Sequence, residues 1–301
     1  MPDSPLASSP YEVLGVPATA GDDELRRAYR RRLRETHPDA GGRADEFHAV
    51  QRAWELVGSA EARAVYDARG LRSTASARPA YAPAAPRRRP DSRPQARSSG
   101  HPGGWYRERY LAELREWVGR GVDVPDPYDA ALVRSAPRQV KHLLAAAIAE
   151  ERSARELSAL GIGYSLWHDV DTPAGKLDHI VLGPSGLWAL VSEDWGGEVR
   201  VKGSELIGEA VAGARPVHSL SQRARAFARA ARVKFSAIGI VVPESDAPVL
   251  RELGTVRGAR ALLIPQPQLA HVIRTGIPGI GTGGTDIFEL RSRIQAAVRF
   301  V

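Results

Sequence analysis

The sequence predicts a two-domain protein of mixed class, an all-α N-terminal domain followed by an α/β domain. Three observations predict it. The chain has 301 residues, more than one small domain needs. Residues Leu71 to Gly104 are so rich in Ala, Pro, Ser and Arg that regular helix or central strand is excluded there. Before that segment apolar residues recur at helical spacing, and after it two helical stretches give way to short apolar runs bounded by turn residues. The reading is therefore 1–70 as one domain, 71–104 as an extended, solvated linker, and 105–301 as a second domain.

In the first domain Leu25, Tyr29 and Leu33 recur every four residues, one stripe of an amphipathic helix that Asp22 or Asp23 can cap. A second stripe, Phe47, Val50, Trp54 and Val57, steps by three and four. Two such helices joined by a short loop bury their stripes against each other as an antiparallel hairpin. The loop holds His37-Pro38-Asp39 and then Ala40-Gly41-Gly42: proline ends the first helix and the glycines let the chain reverse.

In the second domain, helices over about 105–118 and 137–160 precede strands at Tyr164–Val170, Lys176–Leu182, Leu187–Glu193 and Glu198–Lys202. A helix near 217–233, strands at Ala237–Val242 and Ala261–Ile264, and helices near 268–274 and 286–300 complete it. Gly183-Pro184-Ser185-Gly186 reads as a hairpin turn, not a nucleophile elbow. Gly279-Ile280-Gly281-Thr282-Gly283-Gly284 lacks a P-loop lysine and reads as a connection before the last helix.

Composition narrows the function. With 43% hydrophobic and 26% charged residues the chain is ordinary globular material. It has no cysteine, which excludes disulfides, thiolate metal sites and a cysteine nucleophile, and fits a reducing compartment. The longest apolar run, Leu143 to Ala149, is too short to span a membrane, and Met1-Pro2-Asp3-Ser4 begins no secretory signal, so the expected location is cytoplasmic. The formal charge is +7, but residues 71–104 alone hold seven arginines against one aspartate. Arginine is abundant throughout and lysine scarce, so charge alone is poor evidence of nucleic-acid binding. The eight histidines show no His-Glu-x-x-His spacing, and His168 and His179 fall in strand patterns as structural residues.

Tyr11-Glu12-Val13-Leu14-Gly15-Val16, the Ala28-Tyr29-Arg30 step, His37-Pro38-Asp39 and Ala64-Val65-Tyr66-Asp67 together resemble the J-domain of DnaJ-type co-chaperones over about residues 9–70. The resemblance implies a helical hairpin that docks on a DnaK-type chaperone and stimulates its ATP hydrolysis. By family position, Arg26, Arg30 and Arg31 contact the chaperone, and His37, Pro38 and Asp39 couple docking to hydrolysis. Arg27 and Arg34 extend the basic run, whose single sign suits an acidic partner. Arg32 stands where the family usually has an apolar residue, and Thr36 replaces an aromatic or histidine, so packing near the loop is expected to differ. The glycine/phenylalanine-rich and zinc-binding segments of full DnaJ proteins are absent from the sequence.

Leu177-Asp178-His179-Ile180-Val181-Leu182, the turn, Leu187-Trp188-Ala189-Leu190 and Asp194-Trp195-Gly196-Gly197 resemble the nuclease-related domain (NERD), a branch of the restriction-endonuclease-like fold. Glu151 or its neighbour Glu150 on the preceding helix, and Gln222 on the later one, add to the likeness over about 140–265. That fold cleaves with an aspartate on one strand and Glu-x-Lys on the next, the carboxylates holding Mg²⁺ and the lysine serving the attacking water. Counted from Asp178, the Glu-x-Lys positions are Val191 and Glu193. The glutamate has become apolar and the lysine an acid. Glu193 could still approach a metal but leaves no cation, and nothing places Lys202 in the site.

The expectation is a co-chaperone that needs no metal or cofactor and is not itself an enzyme, with a degenerate nuclease-like domain acting as a targeting module for a client protein or nucleic acid. The alternative is a nucleic-acid-binding or metal-dependent nuclease protein regulated through its J-domain.

Overall fold

The computed structural model describes residues 4–6, 8–38, 41–75, 95–119, 121–211, 213–278 and 286–301. Asp39, residues 76–94 of the expected linker and the Gly279–Gly284 run lie outside them. The chain divides into two compact units. The first takes the described part of Ala7–Ala85 with Asp126–Ser135, and the second Ser4–Leu6, the described part of Pro86–Pro125 and Ala136–Val301.

The first unit is helical: α1 (Pro10–Leu14), α2 (Asp22–Glu35), α3 (Ala44–Val57), α4 (Ala60–Ala75) and, later in the chain, α6 (Ala130–Ser135). Ser9 and Glu12 form a reciprocal capping box that starts α1. The two expected stripes meet: Leu25, Val50 and Val57 are buried with Tyr11 and Leu14, and the Tyr29 ring stacks on Trp54 at 4.4 Å. Tyr11 also donates its hydroxyl to Asp67 (2.9 Å) and lies edge-on to Tyr66, which ties the start of the domain to α4.

The second unit is a three-layer α/β domain. It contains α5 (Gly104–Val118), α7 (Arg138–Ser158), α8 (Pro216–Ala231), α9 (Leu269–Thr275) and α10 (Ile287–Ala297). Its strands are β1 (Arg97–Ser99), β2 (Ser165–Val170), β3 (Leu177–Gly183), β4 (Gly186–Ser192), β5 (Arg200–Lys202), β6 (Glu205–Ile207), β7 (Ala237–Val242), β8 (Arg251–Val256) and β9 (Ala259–Pro265). The main sheet has the order β1-β2-β3-β4-β7-β9-β8. β2, β3 and β4 form an antiparallel meander, β4, β7 and β9 run parallel, and β8 closes the edge antiparallel to β9. Strands β2, β3, β4 and β7 are buried throughout, as a sheet covered on both faces requires. Alternate side chains along β4 point to opposite faces and feed two cores. Leu187, Ala189 and Val191 join α8 and α10, and Trp188 and Leu190 join α7 and α9.

Three boundaries differ from the sequence reading. Within the segment read as linker, α4 continues to Ala75, and Arg97–Ser99 pair in parallel with Ser165–Trp167. A three-residue strand beside a Pro-rich run has no periodicity of its own and is created by its partner. Residues 126–135, assigned with the second domain, belong to the first unit, where α6 packs on α4 and buries Val133. Residues 200–202 do not extend the main sheet but pair with β6 in a separate hairpin.

Candidate functional site

In the first unit the loop after α2 is set by its close turns. Gly42 N–H donates to His37 and Gly41 N–H to Pro38, each at 3.0 Å. Gly41 sits at φ +85°, which favours glycine, and a Cβ on Gly42 would lie 2.3 Å from the Thr36 carbonyl carbon, which excludes a side chain there. His37 and Pro38 are thereby held on the surface, with the His37 ring edge-on to Phe47 at 5.1 Å.

Arg26, Arg27, Arg30, Arg31 and Arg34 are all exposed. Acids lie near two of them, Asp23 at 4.0 Å from Arg26 and Glu35 at 3.9 Å from Arg31, loose exposed pairs that leave the face basic. The two departures from the family pattern are accommodated locally. Arg32 folds back to donate to the Val13 carbonyl (3.3 Å) and to Glu35 (3.2 Å), and the buried Thr36 hydroxyl caps α2 through the Arg32 carbonyl (2.8 Å).

In the second unit the end of β2, the start of β3 and the end of β4 meet at one end of the sheet, because β3 runs against its two neighbours. There Lys176, only 7% exposed, sends its ammonium among three carboxylates: Glu150 of α7 (2.5 Å), Asp169 of β2 (2.5 Å) and Asp178 of β3 (3.0 Å). The other oxygen of Asp178 accepts the Ser192 N–H at 2.7 Å. Glu150 Oε1 has no hydrogen-bond partner among the described residues. Asp169 occupies the left-handed region, φ +53°, rare within a strand and characteristic of functional or constrained sites. From α5 the Tyr106 ring lies 4.5 Å from the ammonium and Trp105 lies 6.0 Å away, a pair of cation–π contacts.

The electrostatics follow from burial and acid excess. Burial alone would push Lys176 down, but Asp178, Glu150, Tyr106 and Asp169 outweigh it and hold the ammonium protonated above the usual lysine range. Burial and then Asp178 push Glu150 up, and the same two causes raise Glu193 to about 7. Burial and the neighbouring Asp178 and Glu193 push the Tyr106 phenol well up. Beside the cluster, His168 and His179 face each other across β2 and β3 with their Nδ1 atoms 2.7 Å apart, and burial holds both neutral, His168 at about 4.

Of the residues singled out from the sequence, Asp178 and Glu193 belong to this cluster, and Val191 is a buried apolar member of the α8-side core. Glu151 does not enter it. Its carboxylate is bound by both arms of Arg107, and Glu150, one helical step away, is the inward residue. Gln222 is exposed and pairs with His218, and Lys202 lies exposed on the β5–β6 hairpin. Arg223, beside Gln222, turns in and donates to the Lys176 carbonyl (3.0 Å). Lys176, Asp169 and Tyr106 escaped sequence reasoning. The Lys176-x-Asp178 spacing carried the signal for the lysine, since residues two apart on a strand share a face.

The Mg²⁺ that the nuclease-like fold implies does not fit these residues. The oxygen donors suit a hard cation, but the Lys176 ammonium already lies among them, donating to Glu150 and Asp169 and 3.0 Å from Asp178, and Val191 offers no donor.

The profile of the DnaJ domain matches residues 9–67, and that of the nuclease-related domain matches residues 145–242. Among curated relatives, chaperone protein dnaJ A6 of Oryza sativa subsp. japonica is 47% identical over 60 residues, 20% of this chain and 14% of that protein. Chaperone protein DnaJ of Synechococcus sp. is 43% identical over 65 residues, 21% of this chain and 17% of that protein. The chain thus spans about a sixth or less of the length of these relatives.

Proposed function

We propose that this chain, which carries a DnaJ domain followed by a nuclease-related domain, is a J-domain co-chaperone that docks on a DnaK-type chaperone in the cytoplasm and stimulates its ATPase. The observation that carries the reading is the surface of the first unit: a solid basic face on α2 leading into a tight loop that presents His37 and Pro38. Arg26, Arg30 and Arg31 steer and register an acidic partner surface, and the loop, with Asp39, biases the partner's conformation rather than reacting itself. Curated relatives over this stretch are DnaJ chaperones, which supports the same role.

The nuclease-related domain serves in this reading as a targeting module without cleavage, binding a client protein or a nucleic acid. Two features support that. The Glu-x-Lys pair is Val191 and Glu193, and the nearby ammonium of Lys176 is engaged by Glu150 and Asp169 and paired in charge with Asp178. A lysine held protonated cannot act as a base toward water.

The test is single-turnover ATP hydrolysis by a DnaK-type chaperone with wild type and His37→Gln. The wild type stimulates hydrolysis, less so as salt rises, and the variant does not. Absence of stimulation by the wild type at low salt overturns the reading. Metal-dependent DNA cleavage lost in Asp178→Ala would replace the targeting role with the nuclease alternative.

A further inference from the structure

We propose that Lys176 is a built-in cation standing where the nuclease fold would hold a divalent metal, so that the acidic cluster is an occupied, closed counterpart of a metal site. The inference rests on the nuclease-related match and not on the chaperone role.

Four observations converge. The ammonium of Lys176 lies within 3.0 Å of Glu150, Asp169 and Asp178, which come from α7, β2 and β3, so one point charge joins three elements as a metal would. The donors are all carboxylate oxygens, the set a hard divalent ion takes. Glu150 Oε1, on a fully buried side chain, has no hydrogen-bond partner among the described residues, an acceptor in excess of what one ammonium satisfies. Finally, Tyr106 and Trp105 lie against the ammonium, so the pocket contributes ring faces, which suit an organic cation rather than a hydrated metal.

The substitution pattern has a simple logic. At the expected Glu-x-Lys the lysine position became Glu193 and the glutamate became Val191, while a lysine stands two residues before Asp178. The cation has moved from the rim of the site into its centre. There its charge offsets the carboxylates directly, and no ion is needed to hold them together.

The test uses the full chain and Mn²⁺ alone as probe, read by electron paramagnetic resonance and by thermal unfolding. The wild type binds no Mn²⁺ more tightly than about 1 mM, and its melting temperature does not respond to the ion. Lys176→Met binds one equivalent at least tenfold more tightly than wild type, and Mn²⁺ raises its melting temperature by about 4 °C or more. Both effects vanish when Asp178→Asn is added. One equivalent of Mn²⁺ bound by the wild type and lost in Asp178→Asn would overturn the proposal without any reference to Lys176→Met. So would a Lys176→Met chain that Mn²⁺ neither binds nor stabilises, a chain that stays unfolded in its presence included.

Discussion

Lys176 and Asp178 stand two residues apart at the start of β3 with their charged groups 3.0 Å from each other, both almost wholly buried. In that setting the lysine is indispensable in a way that surface lysines are not, because three carboxylates are left without a counter-charge when it goes. Lys176→Met therefore costs about 3–5 kcal/mol of the second domain's stability in metal-free buffer. Glu151→Gln, one position from the buried Glu150 but half-exposed on Arg107, costs about 1 kcal/mol or less. Urea unfolding followed by tryptophan fluorescence, to which the second unit contributes every tryptophan but Trp54, measures both. Equal costs would mean that the buried cluster contributes no more than a surface pair.

The same acid excess sets a pH dependence. Glu193 is pushed from 4.5 to about 7 by burial and then Asp178. Between those values the folded chain keeps a proton that the unfolded chain has lost, so stability falls as pH rises through the window and the full cost is present above 7. Glu193→Gln is consequently more stable than wild type at pH 8, by up to about 3 kcal/mol, and the gap closes as pH falls toward 5. Asp246, also raised to about 7 by burial and then Asp194, is common to both proteins and cancels in the comparison. Melting temperatures of the two proteins at pH 5, 6, 7 and 8 check this, and a gap that widens on acidification would reverse the sign.

Helical stripes were legible because they repeat: Leu25, Val50, Trp54 and Val57 each announce the face on which they are found. The meander of β2, β3 and β4 was legible because its strands are apolar runs punctuated by the Gly183–Gly186 turn. The acid cluster was only half legible. Neighbouring residues on a helix point 100° apart, so Glu150 and Glu151 cannot be told apart until α7 is seen between α5 and the sheet. Asp169 reaches the site through a left-handed backbone that no propensity foretells. Lys176 shares a face with Asp178 by the same two-residue spacing that brings both residues of Glu-x-Lys into a site. Short strands such as β1 and β6 depend on partners and leave no trace in their own residues.

The loop of the DnaJ domain separates two kinds of glycine requirement. At Gly41, φ is +85° and nothing among the described residues lies within 4 Å of a Cβ, so Gly41→Ala costs chiefly the left-handed backbone, about 1–2 kcal/mol. At Gly42 a Cβ would sit 2.3 Å from one backbone atom of Thr36 and 2.4 Å from another, and backbone cannot swing aside as a side chain can. Thr36 is itself pinned by its bond to the Arg32 carbonyl, so relief must come from displacing the loop that carries His37 and Pro38. Gly42→Ala is therefore the more damaging change: it lowers stimulation of a DnaK-type ATPase at least tenfold, whereas Gly41→Ala retains most of it. Comparing both variants by single-turnover hydrolysis, with thermal unfolding to establish that each domain is folded, decides the matter. Equal stimulation by the two would mean that the turn geometry does not govern the presentation of His37.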